Sequence, residues 1–119
     1  MLSDVGGESI EVIFTPHLIP MDRGIFSTIY AVPRRPLSEN ELREMYRSYY
    51  ARAPFVRVVD HLPSTKDCSG TNFFDVTVRV VRDRIVVLAC EDNLVRGASG
   101  VAVQNFNRMY GHDERTALL

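Results

Sequence analysis

The sequence predicts an α+β domain, a mixed and largely antiparallel sheet with helices packed on it. Three observations carry that expectation. From Asn72 to Val81, Phe74, Val76, Val78 and Val80 alternate with Phe73, Asp75, Thr77 and Arg79, which is strand periodicity. Arg82-Asp83 then separates this run from a second apolar run ending at Cys90, as in a two-residue hairpin. Between Ser38 and Pro54, Leu42, Met45, Tyr46, Tyr49 and Tyr50 instead recur at helical spacing.

The segment from Met1 to Glu8 is small and polar, with Gly6-Gly7, and reads as a mobile lead-in. Ile10, Val12 and Phe14 share one side of a short half-buried strand. Pro16 and Pro20 each lack a backbone donor, so the stretch Thr15 to Gly24 cannot run through the middle of a sheet. Ile25 to Val32 resumes strand character with two largely apolar faces, which fits a sheet covered on both sides. Ser38 and Glu41 have capping-box spacing and Leu37 and Leu42 form a staple pair, so a helix starts here and ends by Pro54. Its tyrosines are expected as a core-facing stripe with wet hydroxyl tips. Phe55 to Val59 is a further short strand, and Asp60 to Gly70 a loop rich in turn formers. After Cys90, Gly97 and Gly100 bracket a helix start. Ala102, Val103, Phe106, Met109 and Tyr110 mark one face, and Gly111 ends the helix. His112 to Leu119 reads as a frayed tail.

A length of 119 residues suits one domain. Fourteen basic against fifteen acidic residues give no field that attracts nucleic acid or an anionic membrane, and neither is expected as a partner. No apolar run approaches the roughly 20 residues of a membrane span, and Met1 to Gly7 lacks signal-peptide character, so a cytoplasmic location is expected. Cys68 and Cys90 make neither a disulfide framework nor a metal set, and read as reduced structural thiols.

Candidate chemistry is sparse. Asp92 to Gly111 combines a strand end, a glycine loop and a helix start, an arrangement that brings backbone N–H groups and a helix dipole to an anion. Gly97-Ala98-Ser99-Gly100 is neither a dinucleotide fingerprint nor a phosphate loop, so a plain helix start explains it as well. His17, lying between prolines, suits an acid, base or anion donor, or a structural role. Arg23 before Gly24 suits a carboxylate or phosphate, or a surface ion pair. Cys68 has Lys66 nearby but no histidine base placed by spacing, and His61 and His112 lie in loop and tail contexts.

Three separated motifs identify a family. Phe14-Thr15-Pro16-His17-Leu18-Ile19-Pro20-Met21-Asp22-Arg23-Gly24 is the first. Pro63-Ser64-Thr65-Lys66 with Gly70-Thr71-Asn72 is the second. Asp92-Asn93-Leu94-Val95-Arg96-Gly97-Ala98-Ser99-Gly100-Val101-Ala102-Val103-Gln104-Asn105 is the third. In order and spacing the chain resembles the C-terminal substrate and dimerisation domain of the N-acetyl-gamma-glutamyl-phosphate reductases. That fold is shared more broadly with the glyceraldehyde-3-phosphate and aspartate-semialdehyde dehydrogenase superfamily.

The resemblance implies an arginine-biosynthesis enzyme that reduces an acyl phosphate with NADPH to N-acetylglutamate 5-semialdehyde and phosphate. It implies a two-domain protein in which residues 1–119 are the substrate and oligomerisation domain and an N-terminal Rossmann domain, absent here, binds NADP. The family's Gly-Cys-Tyr-Pro-Thr nucleophile motif and His-x-His segment are not matched in this sequence, so no catalytic residue is assigned and the chain alone is expected to be inactive. By the same resemblance Asn93 and Gly97, with Arg96 and Gly100 as weaker additions, approach the nicotinamide end of NADP(H). His17 and Arg23 fall on the substrate side, and no metal is implied. The sheet resembles the family's subunit-association surface, so a homo-oligomer is expected. A stand-alone binding or assembly module, or a domain of a sister aspartyl- or aminoadipyl-phosphate reductase, is the alternative.

Overall fold

The computed structural model describes residues 2–119, with side chains from residue 3 onward. A short helix α1 (Leu2–Gly6) leads in, followed by strand β1 (Ile25–Ala31) and helix α2 (Glu39–Tyr50). Strand β2 (Val56–Val58), the one-turn helix α3 (Thr65–Cys68), and strands β3 (Phe74–Val81) and β4 (Arg84–Glu91) come next. A π-helical turn (Val95–Ser99) runs directly into helix α4 (Gly100–Met109). The four strands form one sheet in the order β1-β4-β3-β2, with β2 parallel to β3 and the other pairs antiparallel. The expected α+β class and mixed sheet are therefore present.

Local chemistry explains the elements. Ser38 caps α2 with a full capping box: its Oγ accepts from the Glu41 N–H at 3.2 Å, and Glu41 Oε2 accepts from the Ser38 N–H at 3.0 Å. The hydrogen bonds from Ser38, with Arg35 adding to them, hold the Glu41 carboxyl below its ordinary pKa. The β3–β4 turn places Arg82 and Asp83 at φ values of 47° and 60°, the left-handed pair that matches strand twist in a two-residue hairpin. Leu42 of α2 packs on Val76, Val78, Val87 and Ala89, and these five side chains are the core. Strand β3 is buried on both faces, since Asp75 and Thr77 are as inaccessible as Val76 and Val78.

Four expectations fail. Residues 2–6 are helical, where a mobile lead-in was expected; Met1 lies outside the described residues. Ile10 to Phe14 is not a strand. Among the described residues it has no ladder partner, and Ile13 and Phe14 are almost fully exposed, so alternation alone does not supply the missing hydrogen bonds. Strand β1 exists, but neither of its faces is covered: Ile25, Phe26, Ile29 and Tyr30 are all exposed, because α2 sits over β2 and β3. The C-terminal residues fold back onto α4 instead of fraying. Asn107 Nδ2 donates to the Thr116 carbonyl at 2.9 Å, and Gln104 Nε2 donates to Glu114 Oε2 at 2.8 Å.

Side chains of the two amphipathic helices are less buried than their periodicity suggests. In α2, Tyr46 and Tyr50 are half-buried while Met45 and Tyr49 are exposed. At the end of α4, the Phe106 and Tyr110 rings meet at a tilt with centroids 4.5 Å apart, yet both remain exposed together with Met109. Gly111, at φ 74°, terminates this helix in the left-handed conformation as expected.

Candidate functional site

The Asp92 carboxylate, fully buried where β4 ends, gathers three segments that are far apart in sequence. Its Oδ2 accepts from Arg23 Nε at 2.9 Å and from the Gly70 N–H at 2.6 Å. Its Oδ1 accepts from the Leu94 and Val95 N–H groups, both at 2.8 Å, and its backbone carbonyl accepts from the Gly97 N–H at 2.9 Å. Burial alone would raise the Asp92 pKa. The donors from Gly70, Arg23, Val95 and Leu94 outweigh it and hold the carboxyl far below the usual range. Asn93 extends the junction, with its Oδ1 accepting from the Gly24 N–H at 2.7 Å.

Glycines at this junction have separate reasons. Gly24 sits at φ 101°, and a Cβ there would lie 2.8 Å from Thr65 Cβ. Gly100 is buried, and a Cβ there would collide with Asn72 Oδ1 and meet the Val95 carbonyl at 2.9 Å. Close packing of α4 against the Asn72 loop therefore accounts for Gly100. Gly97, Ala98 and Ser99 instead form an exposed rim carrying nothing larger than a hydroxymethyl group. Arg96 turns away into a side-chain chain, donating to Gln104 Oε1 at 2.6 Å, and Asn72 Nδ2 reaches the same oxygen at 3.5 Å.

A family model described as "Semialdehyde dehydrogenase, dimerisation domain" matches residues 1–93. The chain belongs to the semialdehyde dehydrogenase dimerisation-domain family. Among curated relatives, proteins named N-acetyl-gamma-glutamyl-phosphate reductase from Pelobacter propionicus and Pelotomaculum thermopropionicum are 49% and 50% identical to it. Each alignment covers 98% of this chain and 35% of the relative. A relative of the same name from Rhodopirellula baltica is 48% identical over 100% of this chain and 36% of its own length. The chain thus spans about a third of the length of these reductases.

Of the six residues singled out in the sequence, the structure brings Arg23, Asn93 and Gly97 to the Asp92 junction. Arg96 and Gly100 lie on the turn and helix that follow it. His17 lies on the exposed Pro16–Pro20 segment, where its Nδ1 donates to the Thr15 carbonyl at 3.0 Å. Arg23 forms an ion pair, but with a buried carboxylate, and 37% of its side-chain surface remains accessible.

Asp92, the organiser, and Asn72 and Gln104 beside it are not among the residues expected at the site. An Asp followed by donors at the second and third positions is a capping signal, visible in Asp92-Asn93-Leu94-Val95. The partners Arg23 and Gly70 lie 69 and 22 residues away, and no local pattern reveals them. No described helix is long and apolar enough to cross a membrane.

The anion anticipated at this loop is internal. The first N–H groups of the π-turn are committed to Asp92, which leaves no backbone cradle there for a phosphate. Beside Asn93 the Gly97-Ala98-Ser99 rim is exposed and free of large side chains, while the Gly97 and Ser99 N–H groups donate to the Asp92 and Leu94 carbonyls.

Proposed function

We propose that this domain serves an NADPH-dependent reductase of arginine biosynthesis that converts N-acetylglutamyl 5-phosphate into N-acetylglutamate 5-semialdehyde and phosphate. The observation that carries the reading is the convergence of all three family motifs on one buried carboxylate, through Arg23-Gly24, Gly70 and Asp92-Asn93. The name shared by relatives that cover nearly the whole chain supports the choice of substrate.

In this reading the domain is the C-terminal portion of the enzyme, and a Rossmann domain elsewhere in the protein grips the cofactor phosphates. NADPH, when bound, supplies the hydride. Asn93 and the Gly97 rim orient its nicotinamide end, with Arg96 and Gly100 holding the turn behind them. Arg23 is positioned by Asp92 so that its accessible side points to a substrate carboxylate or phosphate, and His17 adds the ring nitrogen that Thr15 does not engage. The uncovered strand β1, with Phe26, Ile29 and Tyr30, is the surface through which two copies associate in the cytoplasm.

The test is an assay of the full-length protein that carries this domain, run in reverse with NADP, phosphate and either N-acetylglutamate semialdehyde or aspartate semialdehyde. Turnover of the acetylated glutamate substrate alone is expected. A preference for the aspartate compound would replace this reading with a sister enzyme. The isolated 119-residue chain is expected to turn over neither, and activity from it would overturn the two-domain division of labour.

A further inference from the structure

A second buried cluster lies on the sheet face opposite Leu42, under α3. Cys68 at the end of α3 and Cys90 in β4 are 0% and 1% exposed, and their sulfur atoms are 3.3 Å apart. Cys90 pairs across the ladder with Asp75, a residue 1% exposed whose carboxylate takes a two-point ion pair from Arg57, at 2.5 and 2.8 Å. Nothing in the function proposed above uses these thiols. Two carbonyls also bear on them: Cys68 Sγ donates to the Cys90 carbonyl at 3.4 Å, and Cys90 Sγ donates to the Ser64 carbonyl at 3.2 Å.

We propose that Cys68 and Cys90 are a modification site, a thiol pair that a peroxide converts into an intramolecular disulfide joining α3 to β4. The two sulfurs already touch, so bond formation requires them to close by little more than 1 Å, toward an S–S bond of about 2.0 Å. Cys68 ends a helix of only four residues flanked by loops, the element best able to make that movement.

The surroundings distinguish the two sulfurs. Burial raises both thiol pKa values, but the contact with Cys90 Sγ and the nearby Arg57 guanidinium work against the rise at Cys68. Cys90 has no such relief and is pushed up to about 12. Cys68 is therefore the attacking sulfur and Cys90 the resolving one. Cys68 loses its proton and attacks one peroxide oxygen, the O–O bond breaks, and the first water leaves, with Cys68 becoming a sulfenic acid. Cys90 sulfur then attacks Cys68 sulfur, the S–O bond breaks, and the second water carries away the Cys90 proton. Two thiols give two electrons and one peroxide accepts them.

The product would tie α3 to β4 two residues before Asp92, on the same wall from which Gly70 donates to that carboxylate. This inference does not depend on the reductase reading, because its readout is covalent.

The test treats the folded 119-residue chain with hydrogen peroxide and follows intact mass, free-thiol count and peptide maps. A loss of two hydrogens from the mass, loss of both thiols, a Cys68–Cys90 cross-linked peptide, and reversal by dithiothreitol are expected. Cys90→Ser should stop at an oxygen adduct on Cys68, and Cys68→Ser should leave Cys90 unmodified over the same time. Should either variant fail to fold, the unsubstituted chain still decides the matter. Oxygen addition without cross-linking would overturn the proposal, as would intermolecular disulfides, retention of both thiols, or tight uptake of one zinc ion that shields them.

Discussion

Arg23 and His17 lie six residues apart in one motif, yet the fold treats them oppositely. Arg23 is fastened to a buried carboxylate that also holds Gly70, Leu94 and Val95, whereas His17 bonds only within its own exposed segment. The contrast separates two kinds of site residue. One kind is part of the framework, so its loss first appears as lost stability. The other stands on the framework, so its loss can appear only as lost recognition.

Replacing Asp92 should break this comparison most severely. Asp92→Asn keeps the volume but turns one acceptor oxygen into a donor facing donors, and it leaves the Arg23 guanidinium without its counter-charge. A loss of about 3 kcal/mol is expected in denaturant titration. A change smaller than the error of that titration would show that the junction is not held by its charge.

Acid should reproduce part of that loss in the unsubstituted chain. The Asp92 pKa is depressed in the folded state, so its contribution is fully present above the unfolded value of about 3.9 and is lost as pH falls below it. Asp113, held at about 2 by hydrogen bonds from Arg115, adds a slope of the same sign at the surface. The comparison with Asp92→Asn isolates the buried group, because the stability gap between the two proteins should shrink as pH falls below about 4. A gap that stays constant down to acid unfolding would rule out the buried carboxylate as the source.

Gly100→Ala should have the next largest effect. In an open helix the substitution gains up to about 1 kcal/mol. At this position the new methyl would press on Asn72, itself buried, and on the Val95 backbone carbonyl, so a net loss of about 1–3 kcal/mol is expected. Stabilisation in thermal melts would mean that α4 has room to move off the Asn72 loop.

The same contrast explains how much could be read from sequence. The capping box at Ser38 and Glu41, the β3–β4 hairpin and the end of α4 at Gly111 depend on neighbours within a few residues, and each is where its pattern places it. Ile10 to Phe14 has the alternation of a strand but no ladder partner among the described residues, and alternation records a preference, not a partner. The exposed faces of β1 and α4 carry apolar periodicity for the same reason, since period reports which side is apolar and not what covers it. Within the candidate site, the Asp92-Asn93-Leu94-Val95 cap was locally legible. Its ties to Arg23 and Gly70 are products of tertiary closure, and so is the meeting of Cys68 with Cys90.

His17 is where the smallest effect on stability is expected. Its side chain is exposed and its one hydrogen bond returns to Thr15, so His17→Ala should change stability by no more than about 0.5 kcal/mol. In the full-length protein the same substitution should weaken acyl-phosphate binding, seen as a raised KM, because a residue that adds nothing to the framework contributes only through what it touches. Arg23→Ala should lower both stability and affinity, and the double replacement should lower affinity further with no additional loss of stability beyond that of Arg23→Ala. Unchanged affinity in the double variant would remove both residues from the substrate side and leave Arg23 with a purely architectural role.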